Sequence, residues 1–409
     1  MGTVHCMAAQ RKHDIVVFGA TSFVGQILCK YLVDRHGTDG EPVKWAIAGR
    51  NAQKLDAVAE STGADVPRIV ADADDADAIA ALCASTKLVI STVGPYALYG
   101  SKLVAAVAEA GIDYCDLTGE PQWMQRMIDR YHERSVETGA RIVHACGFDS
   151  VPSDLGVWYT QQAAIEQFGA PCTTISMGVK AMKGGASGGT VASMMNMMEE
   201  VSADPSLRKV LGNPYALGVK GDREGKDQPN VTLPVHDDGL DSWLAPFVMA
   251  GTNTRVVFRT HSLLDHVWGG DFTYGEAMMM GDGLAGRAKA LGLSGGMGGF
   301  MGAASVGPMR KVLGKFLPEP GEGPSPEAQQ AGFFDIRFHG TTASGDTIIT
   351  KVTGDRDPGY GSTSKMLGEA ALALRDSDAQ GGFWTPATAL GAPYIDALVE
   401  HAGLTFEIL

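Results

Sequence analysis

The sequence is short of paired metal and thiol ligands. Its six cysteines, Cys6, Cys29, Cys83, Cys115, Cys146 and Cys172, contain no C-x-x-C, which removes the spacing of thiol redox centres and zinc ribbons. The ten histidines form no H-E-x-x-H or H-x-H, so no metal site is expected. Positive charge is scarce as well. With 33 Lys and Arg against 47 Asp and Glu, the net charge of −14 excludes global attraction to nucleic acid. No stretch reaches the roughly 18 consecutive apolar residues of a spanning helix. A cytoplasmic protein with reduced thiols is expected, its first 13 residues a loose tail. Tyr-x-x-x-Lys is missing too; Tyr99 and Lys102 stand one residue too close. That argues against carbonyl reduction by the short-chain dehydrogenase route.

What is present, up to residue 156, is alternation. Apolar runs at Ile15–Phe18, Val43–Ala48, "PRIVA", Lys87–Val93, "DYCDL" and "RIVHAC" are separated by helix-period segments, among them Pro121–Thr138. Short apolar runs between helices of ten or more residues imply β-α-β units and a parallel sheet. Six such strands predict an α/β, doubly wound Rossmann dinucleotide-binding domain over 14–156.

The first turn, "GATSFVG", carries Gly19 and Gly25 with Ser22 where a third glycine usually stands. Gly19 ends the strand, and Gly25 lets the helix lie against the sheet. The serine hydroxyl is read as an added phosphate donor beside the helix amides, so Gly19, Thr21, Ser22, Phe23, Val24 and Gly25 are assigned to a dinucleotide. After the second strand, "AIAGRNAQKL" has no acid for a ribose diol. Arg50, Asn51 and Lys54 stand there instead, which selects NADP(H). Asp72 is read either as an adenine contact or as a helix cap.

From the fourth strand onward, "VISTVGPYALYG", "YCDLTGEPQWM" and "GFDSVPSDLG" follow one another. With "GATSFVG", "WAIAGR" and the ending "GFWTPATALGAPYIDALVEHAGLTFEI", they resemble the saccharopine dehydrogenase-like oxidoreductases. The nearest likeness is to the trans-acting enoyl reductase branch, which acts on polyketide-derived lipid precursors. The resemblance implies an NADPH-dependent reductase acting on a small or carrier-bound enoyl acyl substrate. Thr92, Val93, Gly94, Pro95 and Tyr96 lie at the carboxyl end of the fourth strand, where open α/β sheets bind ligands. Tyr96, Tyr99 and Asp149 are the catalytic candidates. Asp116, Thr118, Gly119 and Glu120 end the fifth strand, with Glu120 read as a helix cap or a cofactor contact. Ser153 or Asp154 is read as capping the next helix.

Beyond Thr173 the rhythm changes. "TTISMGVK", Thr254–His261, "GFFDIRFHGTT" and "DTIITKVTGD" read as antiparallel strands, giving a second α+β domain over about 157–355. Residues 356–409 are expected to be helices packing back on the first domain. Gly188, Gly189 and Thr190 open a Met-rich helix and are assigned to substrate through their amides. Its Met194, Met195, Met197 and Met198 read as core filling rather than an acyl-pocket wall. The same loop satisfies G-x-S-x-G at Ser187, but residues intervene between the strand and the serine, against a nucleophile elbow. Residues 281–317 are glycine-rich and basic, with Arg287, Lys289, Arg310, Lys311 and Lys315 and no acid between 283 and 318. They read as a flexible surface segment suited to an anionic membrane surface or an acidic acyl carrier, followed by a Pro-rich linker. A homodimer is compatible with this reading. Two rivals remain: a saccharopine-type reductase using Arg255, Arg259 and Arg337 for substrate carboxylates, and a non-catalytic NADP-binding lipid-associated protein.

Overall fold

Strand pairing sorts the chain into two seven-stranded sheets. The fold is known from a computed structural model that describes residues 11–39, 42–185, 188–305, 309 and 323–409. The first half gives β1 (His13–Phe18), α1 (Phe23–His36), β2 (Trp45–Gly49), α2 (Ala52–Thr62), β3 (Arg68–Val70), α3 (Ala76–Ser85), β4 (Thr86–Ser91), the turn α4 (Tyr96–Tyr99), α5 (Ser101–Ala110), β5 (Asp113–Asp116), α6 (Pro121–Thr138), β6 (Arg141–Val143) and α7 (Val151–Phe168). Next come β7 (Cys172–Lys183), α8 (Gly188–Ala203), α9 (Leu207–Gly212), β8 (Val235–Asp237), β9 (Ser242–Pro246), α10 (Ala250–Leu263), β10 (Thr273–Met279) and α11 (Gly283–Ser305). The chain ends with α12 (Pro326–Gln330), β11 (Phe333–Thr342), β12 (Thr347–Gly354), α13 (Thr363–Asp376), β13 (Gly382–Trp384), α14 (Pro386–Ala397) and β14 (Leu404–Ile408).

The first sheet runs β13-β6-β5-β4-β1-β2-β3, and every pair in it is parallel. Strand order reverses between β1 and β4, and a crevice opens at such a switch point beyond the carboxyl ends. Both faces are covered, so Ile15, Val16, Val17, Ala46 and Ile47 are fully buried, as continuous apolar strands require. The second sheet runs β14-β12-β11-β7-β10-β9-β8 and is antiparallel except where β10 lies parallel to β7. Alternation in β11 puts Phe334, Ile336 and Phe338 on the buried face.

The end of the chain serves both sheets: β13 pairs with β6, and β14 pairs with β12. Ahead of both strands in sequence, α13 docks on α1. There Glu369, 1% exposed, accepts from the Tyr31 hydroxyl at 2.6 Å and pairs with Arg35 at 3.2 Å. Thus 356–409 supplies two strands besides its helices, which the sequence reading did not anticipate.

Three expectations change. Thr254–His261 is not a strand but the body of α10, enclosed so fully that Val256, Val257 and Phe258 and both arginines are buried. Gly281–Gly302 is largely helical, in α11, rather than an irregular segment, though it lies mostly exposed on the surface; Arg310, Lys311 and Lys315 lie outside the described residues. Met194, Met195, Met197 and Met198 are half-buried along α8 and belong to no core cluster. At the amino terminus the described chain enters β1 already at His13; residues 1–10 of the expected tail are outside the description. Cys29, Cys83, Cys115, Cys146 and Cys172 are buried and free.

Candidate dinucleotide and substrate site

Tight packing shapes the first turn. Gly19 has φ +92°, and a Cβ there would stand 2.6 Å from the Val93 side chain. At Gly25 a Cβ would meet the Gly19 carbonyl oxygen at 2.2 Å. Ser22 is the N-cap of α1, accepting from the Gly25 amide at 2.9 Å. Its hydroxyl also lies 2.9 Å from Thr92 Oγ1, which itself donates to the Gly19 carbonyl at 2.8 Å. With the threonine proton so used, the serine proton is the one shared between the two hydroxyls. Ser22 therefore ties the turn to β4 and caps the helix, rather than holding a free donor for phosphate. The amides of Phe23 and Val24, in the first helical turn, have no intrahelical acceptor and remain for an anion.

Past β2, Gly49 lies beside Thr21, its Cβ position 3.6 Å from Thr21 Oγ1. Arg50 and Lys54 are exposed, and neither side chain forms an ion pair among the described residues. Asn51 caps α2, accepting from the Lys54 amide at 3.0 Å, so its side chain is engaged in the fold. Asp72 is exposed and closes a turn by accepting from the Asp74 amide; the cap of α3 is Asp75.

The rim after β4 is held by a carboxylate. Glu120 is 2% exposed and accepts from the Tyr96 amide at 2.8 Å, the Ala97 amide at 2.9 Å and the Ser193 hydroxyl at 2.9 Å. Burial raises its carboxyl above the usual range, against the pull of these three donors. It caps α4, neither its own helix nor a free ligand, and it fastens α8 across the rim. Tyr96 does not point a hydroxyl outward: the group is buried and donates to the Ser91 carbonyl at 2.9 Å. The catalytic assignment of Tyr96 is corrected accordingly. Tyr99, two-fifths exposed, ends α4, and Gly94 is exposed between them and Thr92.

After β5 and β6, Asp116 accepts from the Tyr114 hydroxyl at 2.9 Å and faces His144 Nδ1 at 2.7 Å, both inside the protein. Asp149 differs. Its Oδ2 is 3.2 Å from the Cβ position of Gly119, and no hydrogen bond to it occurs among the described residues. Largely surrounded by protein yet reachable by water, it has its carboxyl raised to about 6 by burial. Ser153 and Asp154 do not cap α7. Ser153 accepts from Asn253, and Asp154 takes the Thr260 hydroxyl and the Ala387 amide, joining α7, α10 and α14.

Across this rim lies α8. Ser193 reaches Glu120, Glu200 accepts from Gln122 and Arg126 on α6, and Thr190 Oγ1 is 3.1 Å from the Tyr360 hydroxyl. The Tyr360 ring meets Phe23 edge-on with centroids 5.1 Å apart. The helix opening at Gly188, Gly189 and Thr190 is thereby linked through Tyr360 to the dinucleotide turn. Ser187, the G-x-S-x-G serine, lies outside the described residues. Among the described residues, partly buried His236 and exposed Asp241 and Asp282 bring ligand-capable atoms within 4.8 Å, but surface acids gather so without an ion.

Comparison with known proteins fits this geometry. Residues 15–143 match the saccharopine dehydrogenase NADP binding domain. A Mycobacterium tuberculosis protein provisionally named a trans-acting enoyl reductase is 42% identical over 98% of both chains. The trans-acting enoyl reductase of Mycobacterium bovis is 35% identical over 96% of both. This chain belongs to the trans-acting enoyl reductase family. Among solved structures, saccharopine dehydrogenase (L-Glu forming) from Saccharomyces cerevisiae shares the fold, with a TM-score of 0.53 at 12% identity, covering 97% of this chain and 100% of the other. As a member of this family the protein is an NADP-dependent oxidoreductase. No helix among its described residues is long and apolar enough to cross a membrane.

Two groups in the second half of this family member were misplaced or missed by sequence reasoning. Arg255 and Arg259 are 5% and 3% exposed and spend their guanidinium groups on backbone carbonyls: Val210, Leu211 and Gly251 for the first, Leu217 and Phe383 for the second. Desolvation pulls them down to about 10 and about 9. Arg337 pairs with Asp335 at 2.8 Å. Meanwhile Glu276, 4% exposed on β10, accepts from the Tyr274 hydroxyl at 2.7 Å and from Asn253 at 2.9 Å. Burial raises it to about 7. Asn253 in turn accepts from Ser150, the neighbour of Asp149, at 3.2 Å. Nothing in "TYGEAMM" marked that glutamate as buried, because only the register of β10 against β7 shows which face it occupies.

Proposed function

We propose that this oxidoreductase uses NADPH to reduce the carbon–carbon double bond of an enoyl acyl substrate. One observation carries the choice of substrate class. Of the three arginines that a multi-carboxylate imine substrate would need, Arg255 and Arg259 are consumed inside the fold and Arg337 is paired with Asp335, while the protein keeps a mostly apolar cavity beside the first turn of α10. The names of the relatives agree with that choice.

The residues present fit the cofactor. Gly19 and Gly25 leave no room for side chains where a pyrophosphate must come close, and the Phe23 and Val24 amides are available to it. Arg50 and Lys54 are the cations for the 2′-phosphate, and the backbone of Val93, Gly94 and Pro95 is the surface for the nicotinamide half. Bound NADPH supplies a hydride for the β carbon. The developing negative charge on the acyl carbonyl oxygen then requires donors, and the amides at Gly188, Gly189 and Thr190 are the fixed dipoles of that side. Asp149, without a partner among the described residues and raised to about 6, is the acid assigned to give its carboxyl proton to the α carbon, which with the hydride at the β carbon saturates the double bond.

The substrate reaches the enzyme free or on an acidic carrier. Lys180, Lys289 and Arg337 line a groove of about 620 Å³ on the outer face of the second sheet and are the basic contact for that carrier or for an anionic membrane surface.

The test is NADPH oxidation with an enoyl thioester against the same assay with 2-aminoadipate semialdehyde plus glutamate. Turnover of the thioester alone is expected. Turnover of the second pair alone replaces this reading with the saccharopine type, and NADPH binding with neither turnover replaces it with a non-catalytic role.

A further inference from the structure

We infer that the cavity beneath α11 is the acyl-chain site and that the second half of α11 is its lid. This inference rests on the enoyl substrate proposed above and goes beyond it by naming where the chain lies and how it enters. The cavity, of about 220 Å³, is walled by Val231, Pro246, Phe247, Ala250, Met297 and Met301. It is smaller than the roughly 300–1,000 Å³ of a drug-sized site, so it takes a segment of chain. Four polar residues also line it, Asn230, Thr232, Glu276 and Ser294. Glu276 stands at one wall, held by Tyr274 and Asn253. Ser294 lines it from α11, its hydroxyl buried and without a hydrogen-bond partner among the described residues. An unsatisfied buried hydroxyl is costly, and a bound group with an acceptor or donor removes that cost.

The wall that α11 contributes is unlike the rest of that helix. Its base is anchored: Arg287 lies over the Trp243 ring at 5.3 Å, Ala290 is fully buried, and a Cβ on Gly286 would meet the Gly281 carbonyl at 1.9 Å. Beyond it, Gly292, Gly295, Gly296, Gly298, Gly299 and Gly302 have nothing among the described residues within 4 Å of where a Cβ would be. Packing does not demand these glycines, yet each weakens a helix relative to alanine. The weakened stretch contains Ser294, Met297, Gly298 and Met301, the residues that close the cavity. The segment opens locally from its anchored base, admits an acyl chain and closes its methionines on it.

The experiment measures binding of saturated butyryl- and palmitoyl-coenzyme A to the full chain, by calorimetry and stopped-flow. Met297→Trp, which fills the cavity, should weaken palmitoyl binding by roughly tenfold or more and leave butyryl binding within about twofold. Met301→Trp, at a half-exposed wall position, serves if the first variant does not fold. Gly295→Ala with Gly296→Ala should slow palmitoyl association and dissociation several-fold. Unchanged palmitoyl affinity in a folded tryptophan variant overturns the site, and wild-type exchange rates in the alanine variant overturn the lid. Saturated thioesters need no reduction. Chain-dependent binding without enoyl turnover therefore sinks only the enoyl reading, and turnover with chain-independent binding sinks only the cavity.

Discussion

At the dinucleotide turn, a methyl group on Gly25 would stand 2.2 Å from a backbone oxygen; along the second half of α11, a methyl group on any of six glycines would meet nothing among the described residues within 4 Å. The same residue type answers opposite needs. In the first sheet glycine permits contact: backbone meets backbone, and the space left over is shaped for a phosphate. In α11 it withdraws support, at about 1 kcal/mol per residue relative to alanine, so roughly 6 kcal/mol over the six. One region is fixed before its ligand arrives; the other is held by its neighbours and yields.

Substituting both kinds of glycine tests that contrast most directly. Gly25→Ala should abolish NADPH binding, a loss on the order of 100-fold or more, because the obstructing atom is backbone and cannot swing aside. Fluorescence titration of NADPH reads it, and near-normal affinity would dissolve the contrast. Asp149→Asn tests the rim between the two regions. As a proton donor raised to about 6, Asp149 should make kcat fall as pH rises above that value. The asparagine variant should lose about 100-fold in kcat together with that pH limb. Arg50→Ala should weaken NADPH by about 10-fold to 100-fold and leave NADH unchanged, as expected for losing one or two charge-assisted bonds.

Smaller effects belong to the yielding side. Glu276 binds its proton more tightly folded than unfolded, so its contribution is full below its unfolded value and lost as pH climbs toward about 7. Glu276→Gln should therefore gain on the parent protein in melting temperature, by a few degrees, between about pH 5 and pH 7. Smallest of all, Gly295→Ala alone should raise stability by roughly 0.5–1 kcal/mol. Destabilisation there would mean that α11 packs more closely than its open surroundings indicate.

Much of the first sheet was legible because its strands are continuous apolar runs and its helices carry a separate period. Residues that decide chemistry were less so. Arg50 and Lys54 could be named as candidates from the absence of an acid after β2, and both are exposed there. Tyr96 could not, since only the fold shows its hydroxyl turned inward onto Ser91. Thr254–His261 has the composition of a strand, Thr, Val, Val, Phe and Thr, but tertiary enclosure overrides that preference, and its arginines survive burial by finding helix-end and loop carbonyls. The glycines of α11 signalled a loop for the same reason they support the proposed lid: local propensity is poor, and the contacts that rescue the helix come from β9, distant in sequence, where Trp243 underlies Arg287.

Because Gly382–Trp384 and Leu404–Ile408 each complete a different sheet, neither sheet is whole until translation has passed those two segments. The nucleotide-binding half must wait, with one flank of β6 bare, for a partner synthesised more than two hundred residues later. A fragment ending after α7 would expose that flank to other chains, so severing the molecule at the obvious seam should yield aggregates rather than a working half.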